Sequence, residues 1–231
     1  VGQTEILIES RSALIQQLQA AAQQNETFRW WARELVEQLR RSEALDDSLF
    51  KEVPITTLPA EDTTLDIIVP VYKGREQTLA CLDSLLKSPD STRHQIIVIN
   101  DASPDAGLTA ALRTLAQREN KLTLLENSTN LGFVATVNRG MALHPDRDVV
   151  LLNADTLVPA GNWLERLRAA ACSHPRVGTA TPFSNRATIC SLPLPNVDNE
   201  MPPRHTVDSL DALCAQANPG QTVELPTAVG F

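Results

Sequence analysis

The sequence predicts an α/β fold with a mostly parallel sheet flanked by helices, preceded by an α-helical arm. Two observations carry the α/β prediction. Short apolar, β-branched runs alternate with stretches of helical periodicity between residues 66 and 156, the pattern of strand–helix–strand crossovers. Each strand-like run also empties into a loop of Asn, Asp and Gly, which places all those loops on one edge of a parallel sheet. A third observation predicts the arm: residues 5–50 carry Leu14, Leu18, Ala21, Phe28, Ala32, Leu35 and Leu39 on alternating steps of three and four, with Asn25 filling one slot of the same face.

The elements follow in order. The arm, residues 1–50, reads as one helix or as two broken near Asn25-Glu26-Thr27. It packs on its own domain or on a neighbour, or else self-associates through the stripe; Trp30 and Trp31 read as core. Residues 51–64, with Pro54, Pro59 and an acidic run, have linker composition. The main domain then spans 65–231. Its first strand is 66–71 (D-I-I-V-P-V). A helix follows over 76–87, with Leu79, Leu82, Leu85 and Leu86 inward, then a second strand at 95–99 (Q-I-I-V-I). Ser103 is the expected cap of a helix running to about Asn120, with Pro104 in its first turn, Asp105 near its positive end, and Leu108, Leu112 and Leu115 inward. A third strand at 121–126 and a helix at 133–143, with Phe133, Val137 and Met141 on one face, lead to a fourth strand at 148–152. A helix at 161–172, a fifth strand-like run at 177–181 and a short helix at 207–217 complete the pattern. The proline-rich stretch 182–205 between the last two reads as a long irregular loop that covers a site or meets a partner.

Composition removes several function classes. A net charge of −8 and a pI of about 5.0 argue against nucleic acid as a partner. They also mean that a phosphate-bearing ligand needs a local cation or backbone donors. Cys81, Cys172, Cys190 and Cys214 are far apart and form no C-x-x-C pair, which argues against a zinc site and suits a reducing cytoplasm. The four histidines are scattered, and no phosphate-loop or H-E-x-x-H motif occurs. No apolar run approaches the roughly 20 residues of a membrane span, which leaves peripheral membrane contact open. The chain begins at Val1 rather than Met and stops on Val229-Gly230-Phe231, so it reads as a piece of a longer protein.

The polar strand ends are ordinary solvated turns if taken singly. Taken together, with a carboxylate straight after two of the strands, they favour a ligand site. Asp155, in N-A-D-T directly after the fourth strand, offers an oxygen suited to a hard cation, while the same residues also suit a plain turn. Lys73, Arg75, Arg139 and Arg186 are helpers on the same rim or, alternatively, solvated surface charges.

The segments V-P-V-Y (69–72), I-N-D-A-S-P-D (99–105), N-L-G-F-V-A-T-V-N-R-G (130–140) and L-L-N-A-D-T (151–156), with the tryptophan soon after, resemble the family-2 glycosyltransferases with the GT-A fold, a Rossmann-like sheet. The resemblance covers residues 65–183. The stretch 177–190 is similar to members that build bacterial surface polysaccharides, including rhamnosyltransferase-like enzymes.

The resemblance implies inverting transfer of a sugar from a nucleotide-diphosphate sugar donor to a glycan or lipid-linked acceptor. It assigns nucleotide contacts to Pro70, Val71, Tyr72, Asn100 and Asp101, then to Asn130, Gly132 and Asn138, and finally to Asn153 and Ala154. It makes Asp155 the ligand of a divalent metal, Mn2+ or Mg2+. Asn153 stands where the family has the first Asp of D-x-D, so a weaker metal site is expected. No residue matches the family's catalytic-base motif, Asp198, Glu200, Asp208 and Asp211 having the wrong surroundings, and the base is expected beyond Phe231. The domain is therefore expected to be incomplete at its C-terminus. Two alternatives remain: a non-catalytic nucleotide-binding or scaffold module of a larger protein, and a nucleotidyltransferase, whose Gly-rich loop the glycine-poor V-P-V-Y-K-G-R fits badly.

Overall fold

A computed structural model describes residues 64–231 apart from position 90, positions 175–176 and eight positions between 219 and 231. Contacts divide the chain into two units, Val1–Thr57 and Leu58–Phe231. The first unit, with the helical arm and half of the linker, lies outside the described residues.

The second unit is built on a four-stranded parallel sheet in the order β3-β2-β1-β4: β1 Leu65–Val71, β2 His94–Asn100, β3 Leu122–Glu126 and β4 Val149–Leu151. Between them run α1 Arg75–Lys87, α2 Ala106–Arg118 and α3 Phe133–Met141, followed by α4 Trp163–Ala171 and α5 Val207–Ala217. The chain steps outward from β1 to β3 and then returns to pair β4 on the other side of β1. That reversal is the switch point at which parallel sheets open a crevice.

The period-2 alternation of β1 decides which layer meets which face. Leu65, Ile67, Val69 and Val71 point into a core shared with Leu82 and Leu85 of α1, Leu108 and Leu112 of α2, and Trp163 and Leu164 of α4. Ile68, Ile97 and Ile99 point to the opposite face, where α3 lies. Gly140 makes that approach close, since a Cβ there would stand 2.9 Å from Ile99 Cδ1 and 3.0 Å from Ile68 Cγ2.

Three sequence expectations are corrected. Asp105, not Ser103, caps α2: its Oδ1 accepts from the backbone N–H groups of Gly107 (2.9 Å) and Leu108 (3.0 Å), and Ser103 Oγ accepts from Asp105 N–H instead. The expected inward face of α3 is only partly right. It rests on the sheet through Thr136, Val137 and Gly140, and because contact runs through these small residues, Phe133 and Met141 stay 52% and 41% exposed. Residues 177–181 form no strand; they are half-buried or exposed and pair with no ladder in the sheet. The loop after 182 is irregular as expected, with one 3-10 turn at Thr188–Cys190. Asn199 ties it together, donating to the carbonyls of Asn185, Leu194 and Val197 and accepting from Leu194 N–H.

At the amino end of the sheet Asp66 is fully buried. Its Oδ2 lies 2.6 Å from His144 Nδ1, and its Oδ1 accepts from Arg147 Nη1 at 3.1 Å. Arg147 also donates to Gln95 Oε1, whose amide nitrogen donates to Thr123. This network holds the α3–β4 connection under the sheet.

Candidate functional site

The carboxyl ends of the strands are bound to one another beyond the ladder itself. Asp101 N–H donates to Val71 O (2.8 Å), Asn127 N–H to Asn100 O (2.8 Å), and Leu152 N–H to Ile68 O (3.0 Å). The loops after all four strands therefore leave from a common edge, as their composition predicts.

Asp101 sits at the centre of one half of this edge, 5% exposed. Its Oδ1 accepts from Asn127 Nδ2 (2.7 Å) and Leu131 N–H (2.8 Å), and its Oδ2 accepts from Gly132 N–H (2.9 Å). Burial acts to raise the carboxyl pKa, but hydrogen bonds from Leu131, Asn127, Thr136 and Gly132 together outweigh it and hold the group below the usual carboxylate range. Gly132, with φ 79°, is the N-cap of α3, a backbone conformation that side chains disfavour. Asn130 Oδ1 shares the Gly132 N–H at 2.9 Å. Asp101 thus anchors the β3–α3 loop while keeping its charge.

Around this anchor lies a ring of polar groups. Asn100, 3% exposed, accepts from Ser103 N–H and donates to Thr109 Oγ1. Glu126 accepts from Arg113 Nε at 3.2 Å with both oxygens. Shallow depressions of about 380 and 310 Å³ flank Asn127, the first bordered by Asn100, Ser103 and Arg113, the second by Leu131 and Arg139.

Tyr72, at the end of β1, is 40% exposed and carries the Lys73 ammonium 5.2 Å from its ring centroid. Pro70 is half-buried and Val71 buried. Two of the arginines read as rim helpers or as solvated surface charges are engaged with neighbours. Arg75 grips Asp105 through two nitrogens, joining the start of α1 to the start of α2. Arg139 donates to the Glu126 carbonyl and to Asn127 Oδ1. The Arg75 pairing holds the Asp105 carboxyl below its ordinary range.

The other half of the edge is the turn after β4. Thr156 N–H donates to Asn153 O at 3.2 Å, closing Asn153–Thr156 around Ala154 and Asp155. Asn153 and Ala154 are half-buried and Asp155 is exposed. Beneath the turn lies Cys81, fully buried, whose thiol donates to the same Asn153 carbonyl at 3.5 Å. Burial pushes that thiol up to about 12, with the nearby Asp155 adding to the rise against a lowering contact from Thr156 N–H. It stays protonated at neutral pH and so remains a donor.

The structure therefore brings together Asn100, Asp101, Asn130 and Gly132 in one bonded cluster and presents Asn153, Ala154 and Asp155 on a separate turn. Asn138 is exposed five residues into α3. Sequence reasoning missed Asn127, Thr136 and Arg139 as loop-holding residues. The available signal was a polar Thr136 on the sheet-facing side of an amphipathic helix. It also left Asp208 and Asp211 without a role. Asp208 accepts from Ala160 N–H at 2.7 Å, and Asp211 accepts twice from Arg166, so both bind α5 to the segment that starts α4.

Among the described residues no group of three or more His, Cys, Asp or Glu side chains could hold a metal ion. The donors present are one exposed carboxylate and a neighbouring amide. A lone carboxylate does not retain Mg2+ or Mn2+ by itself, but it fits an ion that arrives on a diphosphate and keeps several waters.

The sequence profile described as Glycosyl transferase family 2 matches residues 66–189, which takes in every strand of the sheet and the whole carboxyl edge. The chain belongs to this family. Its four-stranded parallel sheet flanked by helices is the core of the GT-A fold that the motifs implied. An uncharacterized glycosyltransferase of Haemophilus influenzae is 24% identical over 103 residues, 45% of this chain and 31% of that protein. A mannosyltransferase, PcManGT from Pyrobaculum calidifontis, solved in complex with GDP-Man and Mn2+, is similar at 21% identity and a TM-score of 0.40 over 69% of this chain and 43% of its own. The chain thus spans less than half the length of either relative. Among the described residues no helix is long and apolar enough to cross a membrane.

Proposed function

We propose that this chain carries the donor site of a glycosyltransferase that passes a sugar, with inversion, from a nucleotide-diphosphate sugar to the hydroxyl of a growing or lipid-linked glycan. The observation that carries the reading is the division of the carboxyl edge into a charge-bearing anchored loop at Asp101 and an exposed carboxylate at Asp155. A nucleoside diphosphate has the same two-part character, a hydrogen-bonding base and ribose at one end and a charged diphosphate at the other.

Electrostatics orients the ligand. Asp101 is held by neutral donors, so its charge would repel a phosphate but accept an N–H from a base. The base and ribose accordingly belong near Asn100, Asp101 and the 130–132 loop, with Tyr72 as an exposed aromatic face. The diphosphate belongs beside Asp155. There Asp155 and the Asn153 amide would hold a divalent ion, which supplies Lewis-acid stabilisation of the diphosphate as it leaves. The acceptor's proton requires a general base. Asp208 and Asp211 are committed to Ala160 and Arg166 and do not suit that role.

The deciding experiment is calorimetric titration with UDP, dTDP and GDP, in Mn2+ and then in EDTA, for the wild type and Asp155→Ala. The expected result is one preferred nucleotide, bound more tightly with Mn2+, and a loss of about tenfold or more of that gain in the mutant, as for a charge-assisted contact. Equal affinity in EDTA and in Mn2+ would sink the metal assignment. Binding without sugar transfer by any longer form of the protein would favour a nucleotide-sensing module.

A further inference from the structure

Helix α1 and its C-cap residue bear three small polar side chains in one line, Cys81, Ser84 and Ser88, at steps of three and four. All three are spent on the segment that follows β4. Cys81 Sγ donates to Asn153 O (3.5 Å), the carbonyl that also closes the turn by accepting from Thr156. Ser84 Oγ accepts from Val158 N–H (3.2 Å) while its own hydrogen goes to Cys81 O (2.8 Å). Ser88 Oγ donates to Pro159 O (3.3 Å) and accepts from Trp163 Nε1 (3.1 Å).

These contacts bracket Asp155. Upstream, Leu152 is tied to β1 and Asn153 to Cys81; downstream, Val158 is tied to Ser84, with its side chain in the core beside Trp163 and Leu164. Only Ala154 to Leu157 lie between the anchors, and of these Asp155 and Leu157 are exposed. Burying Val158, Trp163 and Leu164 would keep the segment on the domain but would not choose its position along α1, because apolar contact is non-directional. The hydrogen bonds are directional and do choose it.

We propose that Ser84, with Cys81 and Ser88, is a positioning residue that fixes the height and direction of the Asp155 carboxylate above the sheet edge, so that the ligand is set before a metal–diphosphate arrives. This rests on the donor-site reading of Asp155. A carboxylate pinned at both flanks loses little freedom when it binds, which is the advantage of a preorganised site. Replacing Ser84 by Ala strands the Val158 N–H and frees the downstream anchor, while β1, β2 and the Asp101 loop keep all their bonds.

The test has a part that needs no ligand. Amide hydrogen exchange is followed in wild type, Ser84→Ala and Ser84→Thr. In Ser84→Ala the Thr156 and Val158 amides should exchange about fivefold faster, as for one lost hydrogen bond, with protection in β1 and β2 unchanged; Ser84→Thr, which keeps the hydroxyl, should restore protection. In titrations with UDP, dTDP and GDP, Ser84→Ala should lose about fivefold of the gain that Mn2+ gives. Its affinity in EDTA should stay within about twofold of wild type, the scatter of independent sites. Unchanged exchange at Thr156, or an equal loss in EDTA, overturns the proposal. If Ser84→Ala keeps the Mn2+ gain while Asp155→Ala loses it, positioning fails and the donor site stands. If Asp155→Ala keeps the gain, the donor-site reading fails and takes this proposal with it.

Discussion

Asp66 and Asp101 are acidic side chains buried at opposite ends of the same sheet, and they are satisfied in opposite ways. Asp66, at the amino end, faces the Arg147 guanidinium and the His144 imidazole. Asp101, at the carboxyl end, faces a side-chain amide, the Thr136 hydroxyl and two backbone N–H groups. A cation cancels a carboxylate's field, whereas neutral donors stabilise the charge without cancelling it. Burial and hydrogen bonding alone therefore do not mark a site. What separates the two residues is that Asp101 keeps a net charge where loops open, and Asp66 spends its charge on holding chain together.

Asp66→Ala should give the largest effect. It leaves the Arg147 guanidinium, which is 21% exposed on its side chain, without its buried partner. Breaking such a pair costs about 3 kcal/mol, or roughly 6–12 °C of melting temperature in a domain of this size. Nucleotide affinity of the protein that remains folded should not change. A variant that melts like wild type would show that the amino-end network carries no stability; one that loses nucleotide binding while folded would erase the distinction between the two ends.

Asp101→Asn should cost less stability, about 2 kcal/mol, because an amide of the same shape turns one acceptor into a donor facing backbone N–H groups. It should cost binding as well, since the 127–132 loop loses its anchor. The pH dependence has a definite sign. The Asp101 carboxyl is held below its ordinary range, so its contribution to stability is fully present above the unfolded value, about 3.9, and is lost as the pH falls through the lower folded value. The melting-temperature gap between wild type and Asp101→Asn should therefore close on acidification below about pH 4. A gap that widened there would mean that the carboxyl is destabilised in the fold.

The elements were legible because their apolar spacing is local information. The run 95–99 and the leucines of 76–87 place β2 and α1 within a residue or so of their observed ends, His94–Asn100 and Arg75–Lys87. The run 177–181 has the same local character but no strand to pair with, and pairing is not local. The strand-end loops were legible for the same reason as the strands. Their bonding was not: Asp101 reaches Leu131 and Gly132 across 30 and 31 residues of sequence, and Ser84 reaches Val158 across 74. Asp66 shows the cost. From the sequence it reads only as the first residue of the strand 66–71, and only the path of the α3–β4 connection brings His144 and Arg147 over it.

Asp211 completes the comparison at the surface. Like Asp66 it is paired with an arginine, here Arg166 through two contacts of 2.6 and 2.8 Å, but the side chains are 25% and 45% exposed. Water already solvates both partners, so the pair gains little from meeting and loses little when broken. Asp211→Ala should cost less than about 1 kcal/mol, and less still in high salt, where exposed charges are screened. Chemical denaturation at low and high ionic strength checks both parts. A loss near that of Asp66→Ala, insensitive to salt, would show that α5 docks on the start of α4 chiefly through this ion pair. The difference between Asp66 and Asp211 would then lie in what each pair holds in place rather than in how deeply it is buried.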